Sequence, residues 1–543
     1  MVLAILLLPK NACAKSDEDF LIEDGILLEY HGTDSEIVIP DGITGIGKNA
    51  FFNCNSIIRV VIPDGVSYIG NSAFSFCSNL TDITIPGTVA EIGESAFFLC
   101  SSLTNVTISD GVKRIGYAAF EKCDSLTSIT IPASLETIDG GESVLFGAEC
   151  LALSEITVEE GNKTYESRDG VLLKKTASGL ELVLYPDGKE DKTYAVPDGV
   201  TGIGDSAFRY TKNLESVIIP DGVSYIRKSA FSDCSNLTSV IIPGTVTEIG
   251  DYAFLSCSSL TDITISDGVK SIGYGAFKSC TGLTRFTIPA SLETIDGGEN
   301  FLFGADCLAL REIIVEEGCE TYESRDGVLL KKMVSGLELA LYPAGKEDKT
   351  YVVPDDVTRI GAFSFQYTQN LKSVIIPDGV TEIGAGAFFL GKRLTSIKLP
   401  ETVESIGANA FYCCKRLTDV TIPEKVTTIH FGTFHGAKSL KHLEIPNSVK
   451  SIGYDAFFYC DSLKSLKMDA AKGKKIKIKT APDMEAGKVT ITSAGKGIVT
   501  VSKKGVLIPK KKGREVILIK YILNKKVVAS TKLLVKVDKG PGK

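Results

Sequence analysis

LTDITIPGTVAEIGESAFFLCSS, residues 80–102, is one turn of a pattern that decides the fold. Its apolar letters are Leu80, Ile83, Ile85, Val89, Ile92, Ala96, Phe97 and Cys100, and Leu103 starts the next round 23 residues later. The phenylalanine keeps this time at Phe51, Phe74, Phe97 and Phe120, at Phe208, Phe231, Phe254 and Phe277, and at Phe365, Phe388, Phe411, Phe434 and Phe457. A fixed period in this range marks a solenoid. One turn cannot fold alone: about six large apolar side chains, worth roughly 2 kcal/mol each when buried, do not offset an ordering cost of at least ~1 kcal/mol per residue. Stacked turns share their core, so stability becomes a nearest-neighbour sum. Function on such a body is expected on a surface rather than in a cleft.

A second period of 157 residues overlies the first. TYESRDGVLLKK begins at Thr164 and again at Thr321, and Phe51, Phe208 and Phe365 keep the same spacing. The chain therefore reads as three copies of a larger block, with a shortened entry and a different exit. Whatever the surface does is expected to be done more than once.

Within a turn, Ile83 and Ile85 alternate with polar residues, the period of a strand. Pro86 offers no N–H and ends it. Val89 and Ile92 point inward, Gly93 permits a tight bend or a close backbone approach, and Ala96-Phe97 packs the far side of the core. Arg227 and His430 at the Gly93 position argue that the site does not demand glycine. Between blocks, residues 159–200 and 316–357 each carry Arg-Asp-Gly, then LLKK, a polar turn, and LELVLYP or LELALYP, which is a hairpin pattern. Residues 20–30 look like the same hairpin trimmed to a cap, within an N-terminal cap of residues 15–40.

Nine cysteines lie three residues after a phenylalanine, from Cys54 to Cys460, with Cys150 and Cys307 one place further on. Zinc sites use short C-x-x-C pairs, which are absent here, and stacked parallel side chains give poor disulfide torsions. Buried reduced thiols acting as small apolar fillers are the favoured reading. Cys319 and Cys413 fall off the column and are the more reactive candidates.

The chain has 543 residues and a net charge of −8, unevenly placed. Residues 464–543 carry 22 Lys and Arg against 5 Asp and Glu, and the remainder 37 against 62. Val2–Leu8 with Ala12-Cys13-Ala14 reads as an export signal over residues 1–14, with a buried N-terminal strand as the alternative. No later run is apolar and long enough for a membrane span, and a secreted or cell-surface location is expected.

The unit running from CxxL through IxIPxxVxxIGxxAF, as in Cys77–Phe97, resembles the BspA-like leucine-rich repeat family of bacterial surface proteins over residues 38–468. The resemblance implies a right-handed leucine-rich-repeat solenoid with a parallel sheet on its concave side, usually in an exported protein that touches host or neighbouring cells. Ser109 and Ser266 replace the strand-ending proline, and the turn of Phe434 lacks its cysteine. Residues 470–543 show alternating strands at 475–480, 488–493, 498–501, 505–508, 515–523 and 527–537, and the run from Val501 to Val516 is similar to bacterial Ig-like domains. A small basic β-sandwich is expected there, its lysines suited to anionic wall polymer or forming an ordinary solvated face.

Catalysis finds no support: H-E-x-x-H, G-x-S-x-G and phosphate-loop motifs are all missing, and His430, His435 and His442 read as surface histidines. No cofactor, metal or nucleic acid is expected. The candidate ligand surface is the outward side of the strands, at one, two and four places after each leading leucine. In the first block it comprises Thr81, Asp82, Thr84, Thr104, Asn105, Thr107, Thr127, Ser128 and Thr130. In the second it comprises Glu215, Ser216, Thr238, Ser239, Thr261, Asp262 and Thr264, with Ile218 and Ile241 in the same rows, and in the third Thr395, Lys398 and Asp419. The competing explanation is that β-branched threonine simply suits exposed strands. Aromatic anchors are missing from these rows, so broad multivalent contact with a protein ligand on host or neighbouring cells is the favoured expectation. A structural spacer of the envelope is the alternative. Ice or glycan recognition by a regular threonine ladder is disfavoured by Asp82, Asp262 and Asp419, which interrupt it.

Overall fold

The computed structural model describes residues 19–141, 145, 150–446 and 448–463, then the strand backbones at 465–468, 476–478, 487–493, 499–501, 506–509, 513–523 and 526–537, with Leu507 buried. The chain divides into two compact units, residues 1–280 and 281–543.

In the first unit each turn contributes to three parallel ladders. Asp82–Ile85 pairs with Arg59–Val61 before it and Asn105–Ile108 after it, always with the residue 23 places away, and Ile83 and Ile85 are buried while Thr84 is exposed. The two-residue strand Glu91–Ile92 pairs likewise with Tyr68–Ile69 and Arg114–Ile115. This second ladder carries Tyr68, which explains why tyrosines of that segment are missing from the first.

The third ladder is made by the turn around the phenylalanine. Ser95 N–H donates to the Tyr117 carbonyl at 2.8 Å, Phe97 N–H to Ala119 at 2.8 Å and Leu99 N–H to Glu121 at 3.0 Å. Alternate amides reach the next turn because Ser95 and Leu99 adopt φ of 54° and 59°. Gly93 is needed for a different reason: a Cβ there would lie 2.6 Å from the Asn71 backbone nitrogen, so the requirement is close approach between turns.

Phe51, Phe74, Phe97 and Phe120 form one column, with centroids 4.7, 5.3 and 5.2 Å apart and planes within 6°. Phe208 to Phe277 repeat it at 4.8, 5.0 and 5.2 Å. Offset stacking of this kind adds about 0.5–1.5 kcal/mol per pair beyond area burial. The hairpin Tyr165–Arg168, Val171–Thr176 and Gly179–Leu184 is antiparallel, but its last strand turns parallel to Val200–Ile203, and Tyr185 seats its ring 5.1 Å from Phe208. At the entry, Ile26–Tyr30 pairs antiparallel with Phe20–Glu23 and parallel with Gly45–Ile46, and Tyr30 stands 5.5 Å from Phe51.

The second unit repeats this scheme. Its hairpin strands Tyr322–Arg325, Val328–Met333 and Gly336–Leu341 lead into Val357–Ile360, with Tyr342 5.1 Å from Phe365. Phe365 to Phe457 then stack at 5.0, 5.3, 5.4 and 5.8 Å. One short helix, Glu299–Phe303, precedes the hairpin.

Beyond residue 470 the strands fall within two residues of the expected positions, but in two sheets. Ile476–Ile478 pairs parallel with Ser451–Ile452 and so extends the solenoid's second ladder, while Val506–Pro509 pairs against it and buries Leu507 in the core. Gly487–Ser493, Gly513–Leu523 and Lys526–Val537 form a separate antiparallel meander. This pairing does not show an Ig-like sandwich. The predicted export signal and Cys13 lie outside the described residues.

Candidate functional site

The outward side of the first ladder is built by alternation, since each buried isoleucine turns its neighbours to solvent. The candidate residues fall into separate stretches. Those from Thr81 to Thr130 lie on adjacent strands of the first block, those from Glu215 to Thr264 on Ser216–Ile218, Ser239–Ile242 and Asp262–Ile265, with the hairpin segment between the two sets, and Thr395, Lys398 and Asp419 belong to the second unit.

The row directly after the leucine is committed to the solenoid itself. Thr104 Oγ1 donates to the Thr81 carbonyl at 3.1 Å, Thr238 to Glu215 at 3.0 Å, Thr261 to Thr238 at 3.4 Å and Thr395 to Lys372 at 3.1 Å, while the single proton of Thr81 Oγ1, 3.1 Å from the Ile58 carbonyl, is shared with the nearer Asp82. These hydroxyls satisfy carbonyls of the preceding turn, so their recurrence has a structural cause. Next along, Asn105 Nδ2 donates to Asp82 Oδ1 at 2.7 Å and Thr81 Oγ1 to Asp82 Oδ2 at 2.8 Å, with the Arg59 guanidinium 3.7 Å away. The Thr81 hydroxyl, with smaller help from Asn105 and Arg59, holds the Asp82 carboxyl below its usual range against the opposing effect of burial, which is second in size only to Thr81.

Arg59, Val61, Asp82, Thr84, Asn105 and Thr107 line an open groove of about 340 Å³. Thr84 and Thr107 are direct cross-strand partners in its floor. It offers one cation, one anion, hydroxyls, an amide and the flank of a valine, with the cation and the anion 3.7 Å apart.

Further along the face the chemistry changes. Ile218 and Ile241 are direct cross-strand partners with 58% and 63% of their surface exposed; in the second unit Val352 and Ile375, which stand 157 residues after Ala195 and Ile218, form another exposed pair at 59% and 53%. Ile218 and Ile241 occupy the outward place four residues after Leu214 and Leu237, where the first block has threonine at Thr84, Thr107 and Thr130.

The cysteine column adds a bond invisible in spacing alone. In the regular turns the thiol donates to the carbonyl of the phenylalanine 26 residues earlier, Cys77 to Phe51 at 3.0 Å, Cys100 to Phe74 at 3.1 Å, Cys234 to Phe208 at 2.9 Å and Cys460 to Phe434 at 3.0 Å, whereas Cys54, Cys150 and Cys307 bond Phe52, Phe120 and Phe303. All described cysteines are free, and burial pushes the thiols of Cys77, Cys150, Cys414 and Cys460 up to about 12. Cys319 is no reactive exception, being buried with its thiol 3.7 Å from the Leu292 carbonyl; Cys413 is half-buried and raised by burial. His435 stacks on Tyr412 at 4.5 Å, and burial lowers its pKa. Among the described residues no cluster of three His, Cys, Asp or Glu is placed to hold a metal ion.

The family model for the BspA type leucine rich repeat region matches residues 30–166, 191–324 and 349–478. The chain belongs to the BspA-type leucine-rich repeat family of bacterial surface proteins. Among solved structures it is similar to a leucine rich cell surface protein of Faecalibacterium prausnitzii, at 26% identity over 84% of this chain and 95% of that one, with a TM-score of 0.35. It is also similar to a leucine-rich repeat protein of Bacteroides ovatus, at 27% identity over 82% and 91%, TM-score 0.37. The pneumococcal vaccine antigen PcpA gives 23% identity over 56% and 87%, TM-score 0.46. No curated protein matches. Proteins of this family are typically at the cell surface or secreted and typically non-catalytic, and no described helix is long and apolar enough to cross a membrane.

Proposed function

We propose that this chain is a secreted or cell-surface binding protein that adheres to or recognises a protein on host or neighbouring cells through the outward face of its first strand ladder. The observation that carries this reading is the exposed pair Ile218 and Ile241, with a second exposed pair at Val352 and Ile375 in the next block, one turn earlier in the repeat, beside strands rich in hydroxyls. Apolar β-branched side chains held in register on a sheet lose little further freedom on binding, and weak repeated contacts gain strength by avidity. The test is solid-phase binding to a panel of extracellular-matrix proteins, comparing wild type with Ile218→Lys/Ile241→Lys. Lysine at the second position is compatible with the fold, because Lys398 stands 157 residues on. Binding about tenfold weaker in the variant is expected. No signal above an unrelated solenoid would remove the reading.

A second reading is favoured by the charge imbalance between residues 464–543 and the rest of the chain. On it the basic C-terminal segment holds the protein to anionic cell-wall polymer, as a spacer. Retention on purified wall at low salt and release at high salt would support this, and indifference to salt would oppose it.

A further inference from the structure

Five positions change character together in the third block. Lys392, Arg393, Lys415, Arg416 and Lys438 stand where the second block has Ser235, Asn236, Ser258, Ser259 and Thr281, and the first has Ser78, Asn79, Ser101, Ser102 and Asp124. Near-copies elsewhere in the blocks make a coordinated change of five neutral or acidic residues to cations notable on physical grounds: nothing in the shared turn geometry needs it. All five are exposed. Lys392 bonds Gln369 at 3.0 Å and Lys438 lies 3.6 Å from Asp461, but Arg393, Lys415 and Arg416 have no ion-pair partner among the described residues. Their neighbouring turns are stacked about 4.8 Å apart, so the charges repel one another unless an anion sits over them.

A second change accompanies the first. The residue after the buried phenylalanine is Phe389, Tyr412 and His435 in this block, against Ser232, Leu255 and Lys278 in the second. Phe389 and Tyr412 stack at 4.8 Å and 13°, and Tyr412 and His435 at 4.5 Å and 13°. Both faces of Tyr412 are therefore covered, and what the ladder offers a partner is ring edges. Those edges are the electropositive rim of the ring. A sugar that needs an open ring face finds none at Tyr412, whereas carboxylates and apolar side chains both suit a row of edges beside a row of cations.

We propose that this turn surface of the third block, separate from the strand face, binds an acidic segment of a partner protein that carries apolar side chains between its carboxylates. The Arg393, Lys415 and Arg416 side chains pair with the carboxylates, and the Phe389–Tyr412–His435 edge receives the apolar side chains. The experiment uses the full chain and fluorescence anisotropy with a labelled random copolymer of glutamate and tyrosine, with polyglutamate and heparin as competing probes. In the variant R393N/K415S/R416S each residue becomes the one found at the same place in the second block, so folding is protected; an unchanged melting temperature checks this. The copolymer is expected to bind wild type more tightly than polyglutamate does, to weaken with added salt, and to bind the variant at least about tenfold more weakly. Tyr412→Leu, again the second-block residue, is expected to remove the preference for the copolymer over polyglutamate. Equal copolymer binding by wild type and triple variant overturns the proposal. So does heparin binding tighter than the copolymer with the same dependence on the three cations, since that assigns the surface to anionic polysaccharide.

Discussion

At the scale of single residues, the turn around each phenylalanine holds ordinary side chains in the left-handed region, as at Ser95, Leu99, Lys122, Tyr252, Phe363 and Leu390. That conformation costs about 1–2 kcal/mol for a residue with a Cβ, and it persists because alternate amides gain partners in the next turn. Ser95→Gly is therefore expected to raise the melting temperature and Ser95→Val to lower stability by about 1–3 kcal/mol, read by thermal denaturation. The thiols give a chemical test. A raised thiol pKa leaves less thiolate at neutral pH, so native protein should react with a thiol reagent only at the half-buried Cys54 and Cys413 among the described cysteines, and the eleven buried ones should react after denaturation. His435 supplies the pH dependence. Its folded pKa lies below the unfolded one, so the folded state binds fewer protons and stability is lost as pH falls through about 6.5. His435→Tyr should flatten that decline in melting temperature between neutral and mildly acid pH.

At the scale of the element, the turn is the unit of stability, and its apolar letters were legible because burial selects residue type. Leu80, Ile83, Ile85, Val89, Ile92, Phe97 and Cys100 are all buried as their period required. The third ladder was not legible, because Leu99 or Phe363 at positive φ contradicts local propensity and is bought only by bonds to a residue 22 places on, which no window of sequence contains. The candidate face was half legible for a related reason. Exposure of Thr84 and Thr107 follows from alternation, but that the hydroxyls of Thr104 and Thr238 are already committed to the preceding turn follows only from stacking. Nearest-neighbour stability makes a sharp prediction. Removing residues 80–102 joins Asn79 to Leu103 in register and should leave a cooperatively folding chain with strand-type circular dichroism, whereas removing residues 80–91 shifts the register by half a turn and should abolish cooperative unfolding. Phe97→Ala, which opens a gap in the column between Phe74 and Phe120, should cost about 3–5 kcal/mol.

At the scale of the whole molecule, the blocks share one turn chemistry, and each carries a cross-strand apolar pair on its outward rows: Val38 and Val61, Ile218 and Ile241 one turn later in the repeat, and Val352 and Ile375 back at the place of the first. Repetition separates two measurements that a single site would couple. A monovalent ligand in solution meets each pair independently, so Ile218→Lys/Ile241→Lys should lower the stoichiometry seen by calorimetry while leaving the dissociation constant of the remaining sites alone. The same ligand spread densely on a surface can engage both pairs of the first unit, Val38 with Val61 and Ile218 with Ile241, and losing one of them removes an effective-concentration advantage. The surface measurement should therefore fall by more than the loss of sites alone accounts for. If stoichiometry stays the same while the dissociation constant rises, one block alone binds, and the duplicated pairs owe their exposure to the strand's alternation rather than to a ligand.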